Sequence, residues 1–280
     1  MNSPESRHSA GGRSTGIEWT QHTWNYWAGC DVFSPGRTNC YAMAMAARIE
    51  RFGSAPHYAG STRTANGKPV WTGKLSLASP AQRRKPLGIR EPSLIFTNSM
   101  SDFWHENAPD DWRLGALDVM RRASRHQFQT LTKRPENIAL CLERTGAALA
   151  RNFWPGATVE REDFRHRIDT LRRVPVRTRF PSIEPLLGPL GELALSCIHW
   201  VIVGGESGPG ARPMAAGWVR DIRDQCLSQR VPLFFKQWGQ PQNNPIHAQC
   251  GYSAVAQLDP IGKGGSILDG RRWTELPIPE

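Results

Sequence analysis

Several short segments gather the residues able to do chemistry. V-I-V-G-G-E-S-G-P-G-A-R-P, Val201 to Pro213, opens an apolar run into paired glycines, an acid, a hydroxyl and an arginine. Glycine lets a backbone approach a ligand closely. Glu206 can take an amino group or a sugar hydroxyl, and Arg212 a carboxylate or phosphate. With Gly204, Gly205 and Ser207 they make the expected cofactor-binding loop. The G-x-G-x-x-G spacing of a dinucleotide fingerprint is absent, and no G-K-[ST] follows to make a P-loop. P-S-I-E-P-L-L-G, Pro181 to Gly188, sets Glu184 beside prolines that restrict where its carboxylate points. Glu184 is a general base, a ligand for a cation, or an ion-pair partner of Arg134 or Lys236. With Lys236, from F-F-K-Q-W-G, it forms the expected catalytic pair. Ser99 and Asp102, from N-S-M-S-D-F-W-H, and Lys133 and Arg134, from L-T-K-R-P, are the expected substrate-binding set. No G-x-S-x-G elbow supports a Ser-His-Asp triad, so His105 reads as a lid or surface residue. Cys30 and Cys40 stand ten positions apart. A [4Fe–4S] cluster wants three or four thiolates, so this pair alone makes a cluster improbable.

Most of these segments directly follow a short apolar run. Strands are expected at Ser93 to Phe96, Phe128 to Leu131, Val176 to Phe180, His199 to Val203 and Val231 to Phe235, with weaker runs at Thr23 to Trp27 and Ala157 to Val159. Helical spacing falls between them, at Asn39 to Phe52, Pro109 to Ser124, Glu136 to Leu149, Glu162 to Arg173 and Gly217 to Gln229. Strands alternating with helices imply a parallel α/β sheet. About seven such units suit a (β/α) barrel, complete or partial, with a doubly wound sheet as the alternative. Both architectures gather ligand-binding loops beyond the carboxyl ends of the strands. Lys133, Glu184, Glu206 and Lys236 are therefore expected to face one pocket.

Composition fits a folded globular protein: 39% hydrophobic and 21% charged residues. Residues 1–16 read as a disordered tail, 17–240 as the barrel, and 241–280 as an extension packed upon it. No signal peptide or membrane span is evident, so a cytoplasmic location and reduced cysteines are expected. The excess of 35 Lys and Arg over 25 Asp and Glu favours nucleic acid or a nucleotide as partner, with a partner protein as the other candidate.

Taken together, the segments resemble the phage-associated three-Cys-motif proteins. The matching stretches are I-E-W-T-x-x-T-W-N at Ile17 to Asn25, N-C-Y-A at Asn39 to Ala42, and N-S-M-S-D. L-T-K-R-P, S-I-E-P-L-L-G, the glycine-rich segment, F-F-K-Q-W-G and the tail L-D-G-R-R-W-T-E-L-P extend the match to Pro277. The usual loop of that family, C-x6-C-x2-C, is similar to the cluster loop of radical S-adenosylmethionine enzymes, which share a partial or full barrel. The resemblance implies a [4Fe–4S] cluster on Cys30 and Cys40, S-adenosylmethionine near Glu206, and a reaction on nucleic acid or a nucleotide. Arg37 stands where the middle thiolate of that pattern belongs. A guanidinium cannot serve as a soft anionic ligand. Loss of the cluster is the simplest consequence; substitution by Cys250 or His22, or an inactivating change, are the others. A cluster-free binding barrel, and a hydrolase or isomerase using Glu184 or Glu206 as base, complete the alternatives.

Overall fold

The structure is a computed structural model that describes residues 15–33, 40–208, 210–247, 249, 251 and 262–277. Arg37, Cys250 and all but the last two residues of the expected tail lie outside the described residues.

Seven strands form one parallel sheet and lie side by side in chain order: β1 (His22–Trp24), β2 (Leu94–Thr97), β3 (Gln127–Thr132), β4 (Phe153–Thr158), β5 (Phe180–Ile183), β6 (Val201–Gly204) and β7 (Leu233–Gln237). The sheet curls into a half-barrel and stays open, with β1 and β7 at its edges. Crossover helices are α1 (Tyr41–Arg51), α2 (Asp110–Arg122), α3 (Glu136–Thr145), α4 (His166–Arg172) and α5 (Ala216–Ser228). None of the helices among the described residues is long and apolar enough to cross a membrane.

Strand side chains alternate between faces with a period of two. Ile95, Phe128, Phe153, Ile183, Val201, Val203, Leu233 and Phe235 join the main core with Leu117, Met120, Ile138, Leu171 and Ile222 of the helices. The intervening positions Phe96, Trp154, Phe180, Ile202 and Phe234 form a separate cluster with Trp19 and Trp200. Trp19 sits centrally there, its ring centre 4.8 Å from Phe96 and 6.2 Å from Trp200. The concave side is thus plugged with aromatic rings. Two residues further along several of these strands, the same side carries Asn98, Ser182, Gly204 and Lys236.

Two strands lie elsewhere than the apolar runs suggest. V-R-T-R-F alternates, and pairing it inside a sheet covered on both faces would bury Arg177 and Arg179. The strand is instead Phe180–Ile183, buried throughout. β4 begins at Phe153, earlier than Ala157, and includes Pro155 and Gly156, which hide it in the sequence. Helix α3 stops at Thr145 because Gly146 turns left-handed with φ 65°.

Between α1 and β2 lies a hairpin that the apolar runs do not reveal. Thr62–Ala65 pairs antiparallel with Lys68–Trp71 across the left-handed Asn66 and Gly67, the pairing that a two-residue hairpin turn requires. It packs on α1 through a small core of Ala42, Met43, Ala46, Tyr58 and Trp71. At the other edge, Phe235 N–H donates to Trp273 O at 2.8 Å, and Phe234 bridges Thr274. Residues 262–277 thereby cover part of the exposed edge of β7.

The aromatic plug is expected to carry a large share of stability. Trp154→Ala should cost about 3–5 kcal/mol, read as a lowered urea midpoint with unchanged slope. A loss below about 1 kcal/mol would show that the plug is dispensable.

Candidate functional site

Above the plug, at the carboxyl ends of the strands, opens a cavity of about 400 Å³. Trp19, Phe96 and Leu131 form its apolar floor. Lys133, Ser182, Glu184, Glu206, Ser207, Lys236 and Gln237 supply its polar wall, and the start of α1, with Cys40, Tyr41 and Ala42, closes one side. The four residues expected to share a pocket therefore do so, although an open half-barrel holds them. Ser99 and Gly205 also line it, whereas Gly204, Asp102, Arg134, Arg212 and Cys30 do not.

Of the charges that line the cavity, Lys133, Glu184, Glu206 and Lys236 are each engaged by a partner, while Lys263 lines it as an exposed side chain. Lys236 Nζ lies 3.0 Å from Glu184 Oε1, and Ser182 Oγ donates to Glu184 Oε2 at 3.1 Å. Both charged side chains keep some exposure, 18% for Lys236 and 15% for Glu184. Lys133, also at the wall, is instead buried and paired with Glu160, which also accepts from Arg167 Nη1 at 2.9 Å. All three are buried. Glu206 accepts from both the backbone N–H and the Nε of Arg212 at 2.9 Å, and this contact holds the guanidinium pKa above its ordinary value. Arg212 thus anchors Glu206.

The paired glycines serve this packing. A Cβ on Gly204 would stand 2.8 Å from Glu184 Oε1, so its absence gives the carboxylate its place. A Cβ on Gly205 would meet the Trp238 carbonyl at 2.1 Å, so this glycine lets β6 and the end of β7 approach closely.

Asp102 and Arg134 belong to a neighbouring network. Asp102 accepts from Trp104 N at 3.0 Å, Lys133 N at 3.3 Å and Arg134 Nη1 at 3.2 Å. Arg134, 2% exposed, also reaches Asp31 at 2.7 Å and Glu106 at 2.6 Å and lies 4.0 Å over the Phe33 ring. Its fork ties the segment after Cys30 to the end of β3. His105, read from the sequence as a lid or surface residue, is fully buried. Its Nδ1 accepts from Asn107 N–H at 3.1 Å, which leaves the ring proton on Nε2, 3.5 Å from Asp31. Burial, helped by Arg134, lowers its pKa against the upward pull of Asp31 and other acids. Sequence reasoning missed Trp19 and Phe96 as cavity residues; counting in twos along the apolar run would have placed Phe96 on the side of Asn98, which also lines the cavity.

The cysteines test the implied iron–sulfur cluster. Cys40 lines the cavity and Cys30 is buried in the small core beneath α1. Cys141 packs under α3, 3.5 Å from Asp110, and burial raises its pKa. Cys226 is buried under α5 with its thiol pushed up to about 12, and Cys197 lies exposed before β6. His22 opens β1, at the strand end away from the Cys30 loop. Cys30, Asp31 and His105 do bring one donor atom each within 4.8 Å of one another. That trio is already engaged, since Arg134 holds Asp31 and Nε2 of His105 carries a proton. Among the described residues the donor set does not fit a [4Fe–4S] cluster, which needs a third thiolate where Arg37 stands.

Residues 14–277 match the family described as "Protein of unknown function (DUF5131)", and the chain belongs to that family. No curated protein and no solved structure matches it.

The charge network makes two predictions. Glu160→Gln strips the carboxylate from two buried cations and should destabilise the fold by about 3–5 kcal/mol, measured by urea denaturation. A change below about 1 kcal/mol would mean that the cations find water. Secondly, the pKa of His105 is lowered in the fold, as are those of His22, His57 and His126, all chiefly by burial. The unfolded chain then binds protons more readily below about pH 6.5. Stability should be full above that pH and fall between about pH 6.5 and 5, before the carboxylates titrate. His105→Gln should flatten part of that slope in urea midpoints, and a flat wild-type profile would contradict it.

Proposed function

We propose that this member of an uncharacterised family binds a nucleoside-class ligand with a charged tail in the mouth cavity, S-adenosylmethionine first among the candidates, and does so without a [4Fe–4S] cluster. The supporting observation is a single cavity of about 400 Å³ that joins an aromatic floor to the Glu184–Lys236 pair. A volume of this order suits one small ligand. A base has a flat apolar face that packs on Trp19, Phe96 and Leu131. An α-ammonium finds Glu184 or Glu206, and a carboxylate or phosphate finds Lys236. The Glu184–Lys236 pair lies at the cavity wall, so a ligand with one group of each sign can replace their mutual contact by two new ones.

The reading is closest to a radical S-adenosylmethionine-like protein whose cluster site has been lost. Glu184 and Lys236 are then the groups placed to take or give a proton at the bound molecule. With two thiols at the loop and Arg37 between them, no step through a cluster is derived.

Calorimetric titration of aerobically and anaerobically purified protein with S-adenosylmethionine, S-adenosylhomocysteine and AMP tests this, alongside iron and sulfide analysis. One binding site per chain is expected, in protein holding far less than one cluster equivalent. Lys236→Ala and Glu184→Gln should each weaken binding by about tenfold or more, the scale of one charge-assisted hydrogen bond. Absence of binding by all three ligands, or affinity indifferent to both substitutions, overturns the ligand assignment. Four iron and four sulfide per chain after reconstitution overturns the cluster-free part.

A further inference from the structure

The positive charge of this protein is concentrated in one part of it. Residues 40–91 hold nine Lys and Arg against two acids, a net +7, where the whole chain carries +10. Residues 40–74 of this stretch, with five of the nine cations, build the unit on α1 and the hairpin, with its own small core beside Cys30 and Met100, whereas Leu75, Leu77, Leu87 and Ile89 pack on the main core. One of the two acids, Glu50, is used internally: it accepts from Gly60 N at 2.6 Å and from Thr62 Oγ1 at 3.3 Å. Among the described residues none of the nine cations forms an ion pair, whereas Lys and Arg elsewhere repeatedly do. All but the half-buried Arg83 are exposed. A solvated surface that merely aids solubility would intersperse acids with them.

The same unit exposes rings beside its cations. Tyr41, Met45, Arg48 and Phe52 follow helical spacing along α1, so they share its outward face, while Ala42, Met43 and Ala46 face the core. Tyr41 is 57% and Phe52 65% exposed. The guanidinium carbons of Arg48 and Arg51 lie 5.8 and 5.3 Å from the Phe52 ring centre. Tyr41 also lines the cavity, so this stripe runs to its mouth.

We infer that this unit is a docking surface for single-stranded nucleic acid. Phosphates lie along Arg48, Arg51 and the hairpin residues Arg63 and Lys68, and unpaired bases stack on Tyr41 and Phe52. Interleaved aromatic and cationic side chains bind single strands, since a duplex keeps its base faces stacked on one another. The docking surface stands without the ligand assignment made for the cavity; only the delivery of a nucleotide from the strand into the cavity rests on that assignment.

Fluorescence anisotropy on the full chain tests the surface, using a labelled single strand of about fifteen nucleotides, its duplex and a salt series. Two quadruple variants remove equal charge. Arg48→Gln/Arg51→Gln/Arg63→Gln/Lys68→Gln strips the surface, and Arg151→Gln/Arg173→Gln/Arg177→Gln/Arg230→Gln strips other exposed sites. The first set should weaken single-strand binding on the order of thirtyfold and flatten the salt slope by about three, at about 0.7 for each phosphate left without its cation. The second set should weaken it by less than about threefold, since it only lowers the long-range field. Tyr41→Ala/Phe52→Ala should cost about tenfold with little change in salt slope, because stacking releases no counterions. Equal losses in the two charge sets, binding indifferent to the ring substitutions, duplex bound as tightly as single strand, or no binding at low salt each overturn the inference. Titrating the first variant with S-adenosylmethionine separates the two claims: nucleoside binding should survive there, and its absence from the wild type would sink the cavity assignment alone.

Discussion

A parallel sheet that curls through half a barrel and stops must fill its own concave side. In a closed barrel the opposite strands supply the filling; here no opposite strands exist among the described residues. The chain meets the need with large rings: Trp19, Phe96, Trp154, Phe180, Trp200 and Phe234 close the lower part of the concavity. The cavity is what they leave unfilled. Its floor is aromatic because the plug ends there, and its wall is polar because the strands end there. Fold and site are consequences of one packing problem.

Electrostatics divides the charges near the mouth into two kinds. Some are locked: Glu160 between Lys133 and Arg167, and Arg134 among Asp31, Asp102 and Glu106, lie in places where an unpaired charge would be costly. They fix backbone, tying the Cys30 segment and the end of β3 into one frame. Others are available. Glu184 and Lys236 pair at the cavity wall with partial exposure, so exchanging partners costs them little desolvation. Residue type alone does not distinguish the two kinds, since Lys133 and Lys236 both end a strand and both meet a glutamate.

Much of the architecture was legible in the sequence, because buried parallel strands read as apolar runs and polar segments mark their carboxyl ends. H-W-V-I-V and V-P-L-F-F announced β6 and β7 almost in place. Pro155 and Gly156 interrupt the apolar pattern of β4 and hide its start, and the alternation in V-R-T-R-F mimics a strand with one wet face ahead of β5. The meeting of Lys133, Glu184, Glu206 and Lys236 in one cavity followed from strand-end logic. What the charges beside them touch did not: Arg134, expected among the substrate-binding residues, is held by Asp31, Asp102 and Glu106, the first of them far away in sequence. The hairpin at Thr62 to Trp71 did carry a signal, Asn66-Gly67 between short strand-like runs, but its place beside the mouth depends on the tertiary packing of α1.

Hydrogen–deuterium exchange of the iron-free protein, with and without saturating S-adenosylmethionine, tests the central claim most directly. Ligand should slow exchange in the segments around Trp19, Ser182 to Pro185, Gly205 to Ser207 and Lys236 to Gln237, and leave α3 and α4 unchanged. Protection confined to other surfaces, or none at saturating ligand, would contradict the assignment of that cavity.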